Sequence, residues 1–172
     1  MGAINKKYKK IATVSLVCIV ILLFSLLTWK LTNKNRGASD TIFLYYYNPD
    51  LDTEGGSIEC SEKGLVAVSR KPLADSSLEG RIFDTITLLL QGVITGNEKS
   101  SGITTEFPLQ GVSLSSLVLK DGVLTLAFND PNNKLTGGAC RTTILWKQIE
   151  RTALQFSDVK EVRFLPEDIF QP

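Results

Sequence analysis

The chain has 172 residues, 19 of them Lys or Arg and 18 Asp or Glu, for a formal net charge of +1. That balance leaves no global basic field to draw in nucleic acid. No histidine is present, which excludes Ser–His, Cys–His and HExxH chemistries and leaves only carboxylate or lysine chemistry.

The length suits one domain plus an appendage. Ile11 to Trp29 carries no charge and is apolar apart from Thr13, Ser15, Ser25 and Thr28. At about 1.5 Å per residue such a helix crosses a hydrocarbon core of about 30 Å. Lys6, Lys7, Lys9 and Lys10 precede it, and Lys30, Lys34 and Arg36 follow it. The basic excess on the N-terminal side predicts a cytoplasmic tail over residues 1–10 and an anchor over 11–29. A linker over 30–40 and an extracytoplasmic domain over 41–172 follow, giving a single-pass protein of the cell membrane. A cleaved signal peptide is disfavoured by the length of the apolar run and by Arg36 ahead of Gly37-Ala38. Lipidation at Cys18 is disfavoured because Ser15-Leu16-Val17 lacks the small residue expected just before it, and the apolar run continues well past it.

Thr41 to Tyr47, rich in β-branched and aromatic residues, predicts a strand, and Asn48-Pro49-Asp50 turns the chain. In a regular strand Tyr46 faces opposite to Tyr45 and Tyr47. Asp50, Asp52 and Glu54 alternate like calcium ligands, but no frame supplies both the sixth-position glycine and the twelfth-position glutamate of an EF-hand loop. A solvated acidic loop is expected. Ser57–Cys60 and Leu65–Arg70 read as two short strands or a bent hairpin, with Leu65 to Val68 the most buried part. Ser76 and Glu79 form a capping-box pattern. Leu78, Ile82, Phe83, Ile86, Leu89, Leu90 and Val93 then recur at helical spacing, predicting a helix from Ser77 to Gln91.

Ile94 to Gln110 reads as a long connection, and such loops are often functional. Within it Thr95, Asn97, Glu98, Lys99 and Ser100 are the candidate binding loop. Asp121-Gly122 between Leu117-Val118-Leu119 and Val123–Phe128 predicts a hairpin. Gly137-Gly138 opens a second long helix. Its core face is expected to hold Thr142, Leu145, Trp146, Ile149, Ala153 and Phe156. Lys147, Arg151 and Ile144 fall behind, as a solvated back. Val162, Phe164 and Leu165 read as a final strand stopped by Pro166.

The resulting order is β-β(β)-α-β-β-α-β, an α+β fold with a small mixed sheet and both helices on one face. Cys18, Cys60 and Cys140 fit no zinc spacing. Outside the membrane, Cys60 and Cys140 lie in a disulfide-permissive compartment, and Cys140 falls off the apolar face of its helix. A Cys60–Cys140 bridge is expected, against two unpaired small residues.

LLLQG, GITTEFP, LKDGVLTLAF, GGACR and FSDVKEVRFL occur in that order from the end of the first helix onward. This set resembles the GerMN domain of sporulation and spore germination, over Thr41 to Leu165. Gly137-Gly138 and the V-x-x-V-R-F strand from Val159 to Phe164 are its most telling parts. The resemblance implies a ring-building-motif-like fold and an extracytoplasmic, non-enzymatic role in envelope, cell-wall or assembly functions. It carries over no catalytic residue, and no cofactor or metal ligand set is read. Several members of that family are lipoproteins, and spore-forming relatives carry two copies of the module. This sequence has one copy behind a plain apolar segment. The expectation is an interaction module that assembles with itself or with envelope proteins. The alternative is a module that binds cell-wall glycan or a small ligand through Thr95–Gly102 or Tyr45 to Tyr47.

Overall fold

The computed structural model describes residues 41–73 and 77–170. The expected basic tail, anchor and linker, and the capping residue Ser76, lie outside the described residues. Among the described residues no helix is long and apolar enough to cross a membrane.

The first strand, β1 (Ile42–Tyr47), runs into a 3-10 turn at Pro49–Asp52. Two two-residue strands, β2 (Thr53–Glu54) and β3 (Ser57–Ile58), pair with each other. A second 3-10 turn at Glu62–Gly64 leads into β4 (Leu65–Arg70), which returns antiparallel to β1. Helix α1 (Leu78–Leu90) follows, capped by the Ser77 hydroxyl, which accepts from the Gly80 amide. The connection beyond it contains a short helix, α2 (Gly96–Ser100). Strands β5 (Ser113–Lys120) and β6 (Val123–Asn129) form the hairpin, and α3 (Ala139–Ala153) crosses to β7 (Glu161–Leu165), which lies parallel to β6.

The expected single sheet is instead three: β1-β4, β2-β3 and β5-β6-β7. The helices number three among the described residues, not two. The sheet divides because β1 finds no second strand. Its far edge makes one bridge, Tyr47 to Thr104. The rest of that edge is taken by side chains of the α3 end. Gln155 accepts from the Phe43 amide at 2.8 Å and donates to the Phe43 carbonyl at 2.7 Å, and the Thr152 hydroxyl accepts from the Tyr45 amide at 3.1 Å. An unpaired backbone edge is thus satisfied without a strand.

The core forms where α1 and α3 meet each other and β1, with α1 also lying on β5. Ile82, Ile86 and Leu89 of α1 and Leu145, Ile149 and Ala153 of α3 pack with Leu44 and Tyr46 of β1 and Leu124 and Leu126 of β6. Each buried Leu or Ile side chain among them contributes about 1.5–3 kcal/mol. The period-2 alternation of Leu124, Leu126 and Phe128 directs all three inward, as expected for β6. Asp121 and Gly122 both take positive φ, 53° and 84°, the conformation a two-residue hairpin turn demands.

Four expectations change. Trp146, assigned to the core face of α3, is 39% exposed, while the polar Gln148 and Thr152 are buried. The buried stripe is rotated toward β1, which recruits Thr152 to its edge. Of the stretch Leu65 to Val68 only Val68 is buried, because β4 is an outer strand covered on one face. Val93 is exposed rather than part of the apolar face of α1. Asp52, read as part of a solvated acidic loop, is 1% exposed. The Tyr47 hydroxyl and the Ser61 amide and hydroxyl all donate to its carboxylate. Burial opposes ionisation of Asp52, but these hydrogen bonds outweigh it and hold the carboxyl below its usual range.

Candidate interaction surface

The candidate loop is built into the fold. The Thr95 hydroxyl accepts from the Glu98 amide, and the Thr95 amide donates to the Glu98 carboxylate at 2.7 Å, closing a capping box on α2. Arg70 then clamps Glu98 with two bonds of 2.8 and 2.9 Å, and its second terminal nitrogen also donates to the Val93 carbonyl. That guanidinium holds the Glu98 carboxyl down at about 2. The Ser100 hydroxyl donates to the Gly96 carbonyl, and the Asn48 amide group to the Ser101 carbonyl. Glu98 therefore ties the segment to Arg70 of β4, while Thr95 and Ser100 bond within α2 and its cap. Thr95, Asn97, Lys99 and Ser100 are exposed, and Glu98 is half-buried.

The tyrosines separate differently from the expected alternation. Tyr46 is fully buried, and burial pushes its hydroxyl up to about 12. Tyr47 is also buried, with its ring over Gly64, where even a Cβ would meet the ring at 2.3 Å. Tyr45 is half-buried, with the Arg151 guanidinium 5.5 Å from its ring centre. They do not form a common aromatic strip.

Cys60 and Cys140 are bonded, with Cα atoms 5.2 Å apart and a separation of 80 in sequence. Cys60 takes a positive φ of 54° to reach its partner. The same junction holds Lys147, whose ammonium lies 2.7 Å from Glu62 and 3.1 Å from Glu150. The back of α3 is thus partly a docking seam for the Glu62–Gly64 turn and for Tyr45, rather than wholly solvated.

A groove beside β7 was not legible from sequence. Phe164 meets Trp146 edge-on at 6.3 Å and Phe170 at 4.9 Å. Trp146, Phe164, Leu165 and Phe170, with Thr125, Arg163 and Glu167, line a groove of about 530 Å³. Trp146 and Leu165 are 39% and 42% exposed there. Arg163 pairs with Glu161 on the outer face at 2.7 Å. Among the described residues no three His, Cys, Asp or Glu side chains gather as a metal site. The groove therefore offers aromatic faces, aliphatic surface, one guanidinium and one carboxylate, a chemistry of binding.

The family model described as sporulation and spore germination, Germane, matches residues 44–168. The chain belongs to the Germane family. Its match spans β1 to β7 and includes both stretches that carry the resemblance, the Gly137-Gly138 entry to α3 and the β7 strand. Among solved structures, the chain is similar to the tandem GerMN domains of the sporulation protein GerM from Bacillus subtilis. The identity is 23% and the TM-score 0.49, covering 75% of this chain and 40% of that one. No curated protein matches it.

Proposed function

We propose that this Germane-family domain is a non-enzymatic interaction module on the outer face of the cell membrane, held there by residues 11–29. It joins copies of itself or other envelope proteins into an assembly. The Cys60–Cys140 bridge carries this reading, because bonds of this kind persist in oxidising compartments and are rare in the cytosol. The charged groups add support. Arg70–Glu98, Lys147–Glu62 and the Asp52 cluster tie segments together, and among the described residues no base, nucleophile and oxyanion site meet in one place. In-cell cross-linking of the full chain tests the reading. The expected product contains a second copy or an envelope protein; a chain that stays uncross-linked at every concentration contradicts it.

A second reading, binding of cell-wall glycan, draws on the exposed Trp146 at the groove, where an indole face suits a sugar ring. Retention of the full chain on purified peptidoglycan, lost in Trp146→Ala, supports that reading; no retention removes it.

A further inference from the structure

We propose that two copies of this chain join antiparallel along β7, edge to edge, about a two-fold axis through Val162. This rests on the assembly reading above and names the surface that would serve it.

The domain treats its strand edges unequally. The far edge of β1 is filled by Gln155 and Thr152. The outer edge of β5 is interrupted by an irregularity between Leu114 and Ser116, where the Ser115 hydroxyl folds back onto the Ala127 carbonyl at 2.8 Å. Bulges of this kind blunt an edge. Strand β7 has neither device. Among the described residues it pairs with β6 alone, in unbroken register from Glu161 to Leu165. Exposed Leu165 and Trp146 flank it.

Which groups face the open edge follows from the parallel ladder. The Lys160 and Glu161 amides both donate to the Gly122 carbonyl, and the Glu161 bond is the one that opens the parallel ladder opposite Val123, so Glu161, Arg163 and Leu165 turn their backbone groups toward β6. Val162 and Phe164 turn theirs outward. An antiparallel neighbour must match outward residues with outward residues, and the symmetric registers that overlap at least three of the strand's five residues are centred on Val162, Arg163 or Phe164. Centring on Arg163 sets two guanidinium groups against each other. Centring on Phe164 sets Val162 opposite Pro166, which has no N–H to donate, and Glu161 opposite Glu167. Centring on Val162 sets Glu161 of each copy opposite Arg163 of the other, twice, on the outer face. It also places Lys160 of each copy opposite Phe164 of the other, where only the Phe164 amide is free to donate because the Lys160 amide is given to the Gly122 carbonyl at 2.7 Å, so the charge pairing selects the register. The intrachain Glu161–Arg163 pair shows that the two side chains already share this face. They are 52% and 64% exposed, free to exchange partners. The charges that would repel an unrelated strand thus select a second copy in one register.

The test uses the full chain in detergent with two single charge reversals, Glu161→Arg and Arg163→Glu. Each puts like charges opposite each other at both ends of the pairing and is expected to weaken self-association by roughly tenfold or more. An equimolar mixture of the two variants restores it, because every opposed pair is then of opposite sign, although neither variant retains the intrachain pair. In a Cys18→Ala background, Val162→Cys should cross-link to itself under mild oxidation. Hydrogen-bonded antiparallel positions lie about 5.5 Å apart at Cα, within disulfide reach. Retention of the Cys60–Cys140 bridge in each variant checks folding. Self-association unmoved by both reversals overturns the β7 pairing while leaving the assembly reading standing through another surface. A wild-type chain monomeric at all concentrations also overturns it, and the assembly reading then depends on cross-linking to a different envelope protein.

Discussion

Gln155 directs both ends of its side-chain amide to the backbone of Phe43, accepting from its N–H at 2.8 Å and donating to its carbonyl at 2.7 Å. One residue just past α3 thereby performs the work of a neighbouring strand for β1. Gln155→Ala is expected to hand those two exposed groups to water and to lower stability by about 1 kcal/mol. Hydrogen exchange reads this locally. The Phe43 amide should lose protection, whereas the amides of the β5–β6 hairpin should not. Unchanged exchange at Phe43 would contradict the role.

The Arg70–Glu98 pair makes acid stability a second test. The Glu98 carboxyl is held at about 2, against 4.5 for the free group, mainly by its bonds from Arg70. A depressed folded value means the contribution is fully present above about pH 4.5 and is lost as the pH falls toward 2. Glu98→Gln should lower stability at neutral pH by about 1–2 kcal/mol, the side chain being only 18% exposed. It should also flatten the stability profile between pH 4.5 and 2. Denaturant midpoints across that window give the answer.

Tyr46 is expected to behave in the opposite sense. Its hydroxyl is buried with no hydrogen-bond partner among the described residues. Removing an unsatisfied buried hydroxyl relieves a desolvation cost, so Tyr46→Phe should leave stability unchanged or raise it by up to about 1 kcal/mol. A clear loss in thermal unfolding would show that the hydroxyl has a structural partner.

The bridge between Cys60 and Cys140 fixes the thiol count. Three cysteines are present in the chain, so the unreduced, denatured protein should show one free thiol, Cys18, and three after reduction. Replacing both bridge cysteines by alanine should cost about 3 kcal/mol, since the closed loop is long. Three free thiols before reduction would rule the bridge out.

Much of this architecture is written locally. The Asp121-Gly122 turn, the apolar periodicity of α1 and the inward alternation of β6 each depend on neighbouring residues, and the structure has all three. The Cys60–Cys140 pairing followed from compartment and helix position. What sequence concealed were polar residues recruited by distant backbone. Nothing local marks Thr152 and Gln155 until β1 is placed beside them, 107 and 112 residues away in sequence. Asp52 read as one of three alternating surface charges, yet Tyr47 and Ser61 close over it. Glu98 read as a loop charge because its partner Arg70 lies 28 residues back. Trp146 read as core because it falls on the apolar arc of α3, yet it meets Phe164 only edge-on and stays 39% exposed. That β7 ends the sheet is a property of topology, invisible in its five letters.

The outward placement of the domain is tested most directly by labelling in intact cells. In the Cys18→Ala chain, a membrane-impermeant reductant followed by an impermeant maleimide should label two thiols, Cys60 and Cys140, without lysis. Labelling that appears only after the membrane is broken would contradict an extracytoplasmic domain.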